Sequence, residues 1–396
     1  MNIVFFHGNG ILPNFGGISR ITDILGSLFV AKGNNVWYVG ARDKHKGQIY
    51  SDRQSFLPSN DLFSEENIFY MTSFVKKFHI DVVINQCALD PQSAEFLAQC
   101  KKKAPFLLVS CFHNSILTPV LNGAYQKEFL LKKKGLGWAF HLMNTRLVHS
   151  LIVKAYILKH REHYLSTVNN SDCVVVLCDG QVPELYRMCG LQVSDKVSVL
   201  PNGIAMIQNE ETAEAKEDNV VWVGTFDYAV KRPDNMLRIW KMVEQRHPGW
   251  SLQMLGDGPS WNEMRHLAQT LGLKHVHFEG RVVPDEYYRK AAIACVTSVH
   301  EAFSLVVLEA QRTGCVPVVN NSFTSVPMLI DNGVNGFAVE AFNNVAFANT
   351  LSLLMDNVEM RKQMSEQAIA NAKRFSLDNV YSKWLSLFKE YHEKLS

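Results

Sequence analysis

The sequence predicts an α/β protein built on parallel β-sheets. Short apolar runs rich in β-branched residues recur along the 396 residues. Most of these runs lack polar alternation, which is typical of strands buried on both faces. Helix-like segments separate the runs, and alternating strands and helices favour parallel sheets. The length also exceeds that of one typical core, which indicates two domains.

The predicted elements follow one another in a regular order. The first helix covers "GGISRITDILGSLFVAKG", where Ile18, Ile21 and Leu25 fall on one face. A polar stretch at 205–219 separates two sets of strands and marks a domain boundary, and the tail 375–395 is an amphipathic helix. The predicted strands are 3–7, 35–40, 81–86, 106–112, 173–178, 197–203, 220–226, 252–258, 276–280, 293–299 and 316–319.

Composition and charge narrow the class of protein. The chain has 47% apolar and 20% charged residues, and its net charge of +2 predicts no nucleic acid partner. The eight cysteines form no C-x-x-C pair, so we expect buried thiols in a reducing compartment rather than a zinc site. Met1 leads into the first strand, and no apolar run reaches the roughly 20 residues of a membrane span. A cytoplasmic protein without a signal peptide is therefore expected.

The loop after the first strand, "GNGILPNFGGISR", is rich in glycine. Gly16 and Gly17 open a helix, so their N–H groups could hold a phosphate. The dinucleotide fingerprint G-x-G-x-x-G is not met, because Pro13 stands where the third glycine belongs. A nicotinamide enzyme is therefore disfavoured, and a glycine turn without a ligand remains the alternative.

A pair of cations follows the strand 220–226. Pro233 suits the first turn of a helix, which places Lys231 and Arg232 at the helix entrance. Two cations beside helix N–H groups indicate a diphosphate site, and the alternative is a solvated pair.

Two glutamates, Glu301 and Glu309, flank an apolar run in "HEAFSLVVLEA". A helix is expected to begin near Phe303 or Ser304, so the N–H groups of Phe303, Ser304 and Leu305 could hold a phosphate oxygen. Carboxylates beside anion-binding N–H groups indicate a sugar, a diphosphate and a ribose. The alternative, pairing with an arginine such as Arg312, would explain only one carboxylate.

The segment 126–164 is basic, with apolar residues interleaved. Two interpretations stay open for it. It forms solvated helices between two strands, or it is a basic amphipathic face that meets an anionic membrane or a phosphorylated lipid.

The run "HEAFSLVVLEA" resembles the E-x7-E motif of retaining family 4 glycosyltransferases of the GT-B fold, as found in bacterial polysaccharide and lipopolysaccharide synthesis. Further segments resemble that family in the expected order, strongly within 197–340 and weakly in the N-terminal half. They are "LPNGI" (200–204), "VGTF…KRPDNML", "LGDGP" (255–259), "FEGRV" (278–282) and "DNGVNGFAV" (331–339).

The resemblance implies two Rossmann-like domains that face a central cleft. Residues 1–203 would bind the acceptor, with a C-terminal helix at about 378–396 packing back on them, and 204–377 would bind the nucleotide sugar.

The resemblance also assigns the diphosphate contacts. Lys231 would neutralise the leaving diphosphate with Arg232 beside it, and the N–H groups around Ser304 and Leu305 would complete the site. The family usually has arginine directly after the glycine of "VG", and this sequence has Thr225 there. We expect Arg232 or another residue to replace the missing cation.

Other roles carried over from the family concern the sugar, the ribose and the base. Glu309 would accept hydrogen bonds from the ribose hydroxyls, and Glu301 would contact the donor sugar near its 3- and 4-hydroxyls. His113 would touch the sugar hydroxyls. Arg281 lies in the loop that reaches the base, and Gly17 lies near the diphosphate and acceptor.

The implied activity is retaining transfer of a hexose-type sugar from a nucleotide sugar to a glycan or lipid-linked glycan acceptor. A UDP-sugar is the first candidate for the donor, and GDP-mannose is the second. No D-x-D motif lies near the donor residues, so we expect neither a metal nor another cofactor. Contact with the inner membrane through 126–164 is a further expectation. A nucleotide-sugar 2-epimerase of the same fold and an inactive nucleotide-sugar-binding homologue are the alternatives.

Overall fold

The structure is a computed structural model that describes residues 1–12, 16–43, 50–207 and 216–395. Part of the polar boundary stretch, 208–215, lies outside the described residues. The chain divides into two compact units. Unit 1 comprises Met1–Asn114, Tyr156–Asn202 and Leu377–Ser396, and unit 2 comprises Ser115–Ala155 and Gly203–Ser376.

The strands are short, and the central ones are apolar and buried. Their bounds are β1 Asn2–Asn9, β2 Asn35–Arg42, β3 Gln54–Phe56, β4 Val82–Asn85, β5 Leu107–Cys111, β6 Cys173–Val176, β7 Val197–Val199, β8 Glu217–Val223, β9 Ser251–Leu255, β10 Val276–Gly280, β11 Ala291–Val296, β12 Val316–Asn320 and β13 Phe337–Val339.

Helices connect these strands. Their bounds are α1 Gly17–Ala31, α2 Glu65–Lys77, α3 Pro91–Lys103, α4 Thr118–Leu121, α5 Gly123–Lys133, α6 Gly137–Met143, α7 Arg146–Asn170, α8 Gln181–Cys189, α9 Pro233–Val243, α10 Trp261–Thr270, α11 Asp285–Lys290, α12 Leu305–Gln311, α13 Val326–Leu329, α14 Asn344–Asp356, α15 Val358–Lys373 and α16 Leu377–Leu395.

Each unit contains one parallel sheet over its described residues. The order is β3-β2-β1-β4-β5-β6-β7 in unit 1 and β10-β9-β8-β11-β12-β13 in unit 2. Both orders reverse direction beside their first strand, as in doubly wound Rossmann-like sheets. The reversal lies between β1 and β4 in unit 1, and between β8 and β11 in unit 2. Ligands of such sheets bind outside the carboxyl ends of the strands at this point. The predicted α/β class with two Rossmann-like domains is therefore confirmed.

The core of unit 1 includes the C-terminal helix α16. The ring centroid of Phe29 on α1 lies 5.7 Å from that of Tyr381, 6.2 Å from Trp384 and 6.0 Å from Phe388. Tyr391 donates a hydrogen bond to the carbonyl of Asp195 at 2.9 Å. Aromatic packing of this kind buries a large apolar area and holds α16 against unit 1.

The core of unit 2 is built on large aromatic and methionine side chains. Trp222 on β8 and Trp240 on α9 are fully buried, beside Met236 and Met254. The Trp222 indole donates to the hydroxyl of Thr297 at 3.0 Å, so its buried N–H is satisfied.

Residues 115–155, here called the arm, belong to unit 2. The expected N-terminal domain of residues 1–203 is therefore wrong for this segment. The physical reason is side-chain packing over long sequence distances. The Phe129 ring stacks on Tyr228 with centroids 3.5 Å apart and a 7° interplanar angle, and the Asn122 amide donates to the carbonyls of Val299 and Ser322 at 2.7 Å each.

All eight cysteines are thiols rather than disulfides, and seven of them are buried. Cys87 is half-buried, and its sulfur accepts a hydrogen bond from the N–H of Gly8 at 2.8 Å. In the described part of the chain, none of the helices combines the length and the apolar character that crossing a membrane requires.

Candidate active site

Three glycine loops form the carboxyl edge of the unit 2 sheet. The N–H of Gly224 after β8 donates to Leu255 at 3.0 Å, and the N–H of Gly256 after β9 donates to Gly280 at 2.8 Å. Gly256 has φ +124°, and a Cβ there would lie 2.0 Å from the Gly224 carbonyl oxygen. The motif "LGDGP" therefore needs glycine at 256, because its backbone touches that of "VGTF" there.

Lys231 lies at the entrance to α9, at the reversal point of the sheet. Its N–H donates to the carbonyl of Asp227 at 3.2 Å, and the Thr297 hydroxyl donates to the Lys231 carbonyl at 2.9 Å. The backbone of Lys231 is thus held by hydrogen bonds to two residues, Asp227 after β8 and Thr297 after β11. Its ammonium Nζ lies 2.7 Å from Oε1 of Glu301.

Glu301 follows β11 and has a side chain only 10% exposed. The Ser298 hydroxyl donates to the same oxygen, Oε1, at 2.6 Å. Burial acts to raise the pKa of Glu301, but the charge and hydrogen bond of Lys231 and the bond from Ser298 outweigh it, so the pKa is lowered. Glu301 is therefore ionised at neutral pH.

Glu309 lies on α12, which begins at Leu305, and its side chain is buried. The Tyr288 hydroxyl lies 3.5 Å from Glu309 Oε2, at the outer limit of a hydrogen bond. The arginine that could have paired with the glutamates has other partners. Arg312 bonds to Asp285 at 2.6 Å and to the carbonyl of Ala205 at 2.7 Å.

The N–H groups that we expected to bind a phosphate oxygen lie at the start of α12, shortly after Glu301 in the chain. Ser304 is the N-cap residue and is buried, and its side chain makes no capping hydrogen bond. Phe303 is buried against the ring of Phe375, with centroids 5.9 Å apart. The N–H groups of Ser304 and Leu305 have no intrahelical carbonyl four residues earlier, and N–H groups in this position can bind an anion.

Arg232, expected beside the diphosphate, has a different environment. It is 3% exposed and occupies the left-handed region, with φ +53°. Its five N–H groups make five hydrogen bonds of 2.9–3.2 Å within unit 2. The acceptors are both carboxylate oxygens of Asp234, the Asn235 side chain, the Tyr125 carbonyl and Glu128.

Every donor of Arg232 is therefore already used in this structure. We expected Arg232 or another residue to replace the missing phosphate cation. In this conformation protein acceptors fill the whole guanidinium of Arg232, so a phosphate contact would require Arg232 to exchange these partners. Thr225, which stands in place of that cation, is exposed. Arg281, after β10, is also exposed.

The predicted residues of unit 1 lie at the carboxyl ends of its strands. Gly16 is the N-cap of α1 with φ +110°, a backbone that favours glycine, and a Cβ at Gly16 or Gly17 would meet no atom within 4 Å. His113 follows β5, and its Nε2 is hydrogen-bonded to the side-chain oxygen of Gln86, which follows β4. Burial and, to a smaller extent, the nearby His7 lower the pKa of His113 to about 4, so its imidazole is neutral at physiological pH.

Within unit 2 the structure brings Lys231 and Glu301 into direct contact. The sequence predicted roles for both residues, at the diphosphate and at the donor sugar, but it did not predict the bond between them. Ser298 and Thr297, whose hydroxyls fix this pair, were not predicted from the sequence. Ser298 stands three residues before Glu301 in "TSVHE", and this proximity was a usable signal. Glu128 carried no such signal, since it lies 104 positions from Arg232.

No group of three or more His, Cys, Asp or Glu side chains is arranged to hold a metal ion among the residues that the structure describes.

Most of unit 2 is similar in sequence to a known protein family. Residues 205–371 match the family described as "Glycosyl transferases group 1". The chain is also 32% identical over 246 residues to D-inositol 3-phosphate glycosyltransferase of Corynebacterium efficiens, covering 56% of this chain and 57% of that protein. The chain spans about half the length, or less, of the curated relatives it matches.

Solved structures agree on the fold over nearly the full chain. The lipopolysaccharide outer core galactosyltransferase WaaB in its apo form has a TM-score of 0.70 at 16% identity, covering 98% of this chain and all of that one. Anabaena HepE in complex with UDP has a TM-score of 0.73 at 14% identity, with the same coverage. These likenesses establish the GT-B type of fold.

Proposed function

We propose that the chain is a retaining, metal-independent glycosyltransferase. It transfers a hexose-type sugar from a nucleotide sugar to a glycan or lipid-linked glycan of a bacterial surface polysaccharide. The first candidate donor is a UDP-sugar, and the second is GDP-mannose. The observation that carries the proposal is the contact of Lys231 with Glu301. This pair lies at the sheet reversal of unit 2, where ligands of such sheets bind.

The proposed chemistry follows from charge. Breaking the anomeric C–O bond develops positive charge on the sugar and negative charge on the departing diphosphate. Lys231 and the first N–H groups of α12 stabilise the diphosphate, and Glu301 accepts hydrogen bonds from the sugar hydroxyls. Glu309 accepts hydrogen bonds from the ribose. Since Arg232 is engaged elsewhere, Lys231 is the principal cation in this proposal.

The remaining roles rest on family resemblance. His113 is assigned to the sugar hydroxyls, Gly17 to the diphosphate and acceptor, and Arg281 to the base. Gly16 is assigned to a phosphate from its place at the start of α1. The neutral imidazole of His113 suits this role, because it can donate or accept one hydrogen bond without a buried charge.

The choice of substrates draws on the similar proteins. HepE was solved with UDP, which favours a uridine nucleotide. The name of WaaB describes a galactosyltransferase of the lipopolysaccharide outer core, which favours a growing glycan as acceptor. We further propose that the enzyme acts in the cytoplasm, where nucleotide sugars are available.

The test is a calorimetric screen of UDP- and GDP-sugars, followed by transfer assays with the donor that binds. Transfer with retained anomeric configuration, unaffected by excess EDTA, is expected. Loss of transfer in EDTA that Mg²⁺ or Mn²⁺ restores would contradict the metal-free proposal. Conversion of the donor alone would identify a 2-epimerase, and binding without turnover across the acceptor panel would identify an inactive homologue.

A further inference from the structure

The arm has a different charge from the rest of the protein. Residues 115–155 contain six lysines and arginines and a single glutamate, which gives a net charge of +5 in a chain whose total is +2. The rest of the chain is therefore net acidic. The arm concentrates positive charge on one small part of unit 2.

One side of the arm is packed against unit 2. Tyr125 stacks on Phe342 with ring centroids 3.7 Å apart, and Phe129 stacks on Tyr228. Two of the three consecutive lysines are also engaged, since Lys132 pairs with Glu128 at 2.6 Å and Lys133 with Glu263 at 2.5 Å. The "KKK" run therefore does not form the outer surface by itself.

Large apolar side chains of the arm face solvent. Trp138 and Leu142 stand four residues apart on α6, and Leu147 and Leu151 stand four residues apart on α7, so each pair shares a helix face. Their exposed fractions are 65%, 47%, 80% and 65%. These four residues are here called the arm surface. Exposed cations accompany them in the same segment, among them Lys134, Arg146 and Lys154.

We propose that the arm surface is a docking site for an anionic lipid membrane. Exposed leucine and tryptophan side chains among cations are typical of helices that lie at a membrane interface. Anionic head groups provide the negative charge that the arm lacks, and each cation near such a surface raises the partition coefficient about fivefold. Docking to the membrane does not itself require the proposed transferase activity. Together with that proposed activity, it would bring a soluble donor to a lipid-linked acceptor.

A second copy of the chain fits this surface less well. A two-fold dimer would bring the same surface of both copies together, and so would place two net positive arms in contact. An anionic membrane offers negative head groups to the cations of the arm and an apolar interior to its exposed apolar side chains.

The experiment is co-sedimentation of the full chain with phosphatidylcholine vesicles, with and without about one third phosphatidylglycerol, at low and at moderate salt. We expect binding to the phosphatidylglycerol vesicles, weakened by salt. The triple variant Trp138→Ser, Leu147→Ser, Leu151→Ser should lose at least tenfold in binding. Its matched control replaces three apolar residues that are exposed elsewhere, Phe69→Ser, Val193→Ser, Val283→Ser, and should bind like the wild type.

A second variant set tests the charges. Lys134→Glu, Arg146→Glu, Lys154→Glu should lower binding by 100-fold or more at low salt, given about fivefold for each cation removed. The control reverses three exposed lysines of unit 1, Lys76→Glu, Lys102→Glu, Lys103→Glu, and should bind like the wild type. Both arm variants should keep the wild-type unfolding midpoint and nucleotide affinity.

Three results would overturn the proposal. The first is wild-type protein that stays in the supernatant with phosphatidylglycerol vesicles at low salt. The second is equal binding by the arm variants and their controls. The third is self-association of the wild type in velocity sedimentation that the serine variant abolishes, which would assign the surface to a second copy. A chain that binds vesicles but transfers no sugar leaves this proposal standing and contradicts only the transferase.

Discussion

The Arg232 guanidinium donates a 3.1 Å hydrogen bond to Glu128, a residue 104 positions earlier in the chain. The same guanidinium bonds to Asp234 and Asn235 on α9, so it joins the arm to the helix that Lys231 precedes. A left-handed backbone at a residue other than glycine costs about 1–3 kcal/mol, and this network of bonds offsets that strain.

Arg232→Ala should therefore destabilise unit 2 rather than simply weaken phosphate binding. The substitution leaves the buried Asp234 without its cation, and breaking a buried pair costs about 3–5 kcal/mol. It also removes one of the two cations that contact the half-buried Glu128, while Lys132 remains. Arg232→Lys should recover little of the loss, because an ammonium cannot make the two parallel bonds to Asp234. Urea unfolding followed by tryptophan fluorescence measures the effect.

The matched control for this prediction is Arg238→Ala on the same helix, where the side chain is exposed. It should change the free energy of unfolding by no more than about 0.5 kcal/mol. If Arg232→Ala is as stable as this control and only weakens nucleotide binding, the guanidinium turns to the ligand, and its expected phosphate role is restored.

Lys231→Ala should lower kcat by roughly 10²–10³-fold, since it removes the cation aimed at the leaving diphosphate. The overall fold should persist, because the ammonium of Lys231 is partly exposed and its backbone is held by other bonds. Steady-state kinetics with the donor found in the screen gives the value. Turnover close to that of Arg238→Ala would place the diphosphate elsewhere.

Glu309→Ala should weaken nucleotide binding by about 2–4 kcal/mol, from two charge-assisted hydrogen bonds to the ribose. Titration calorimetry with UDP or GDP tests this, with Tyr288→Phe as the control. That control removes only a hydroxyl at 3.5 Å from the carboxylate, so it should change the affinity much less. Unchanged affinity in Glu309→Ala would refute the ribose assignment.

His113 should make the stability of the protein depend on pH. Burial lowers its pKa from the ordinary 6.5 to about 4, so between these values the unfolded chain binds a proton that the folded chain does not. The contribution of His113 to stability is therefore complete above pH 6.5. It falls by about 1.4 kcal/mol for each pH unit as the pH decreases towards 4.

The check compares unfolding free energies of the wild type and His113→Asn at several pH values between 4 and 7. The variant should show a shallower decrease in acid, whatever its stability at neutral pH. Parallel curves would mean that His113 does not titrate as its burial indicates.

The strands were predictable because apolar, β-branched runs are local signals. Each of the predicted strands corresponds to a strand in the described chain, whereas β3 and β13 were not predicted as strands. Both are three-residue strands at the edges of their sheets, and three residues are too few to show a period. The strand β7 is equally short, but it lies in the longer predicted run 197–203. The boundaries of α1 and α16 also agree with the sequence within two residues.

The partners of the site residues were only partly predictable. The sequence placed Lys231 and Glu301 after two strands that reach the same edge of a sheet, and this made their contact reasonable. The sequence could not show that the Arg232 side chain bonds to protein acceptors instead of pointing to the expected diphosphate. The partner Glu128 is distant in sequence, and tertiary contacts set the backbone angle of Arg232. The expected place of the arm in a domain of residues 1–203 failed for the same reason, since Phe129 and Tyr228 meet only in the folded chain.

The division of the chain also has a consequence for its synthesis. The polypeptide passes from one unit to the other four times, at 114, 155, 202 and 376. When the arm leaves the ribosome, the residues on which Phe129 and Asn122 pack have not been translated, because domains emerge from the N-terminus onward. The nascent chain thus exposes the inner aromatic residues of the arm until unit 2 is complete. We expect separate expression of 1–203 and 204–396 to give aggregating fragments, and a chaperone that shields apolar helices to improve the yield of the intact protein.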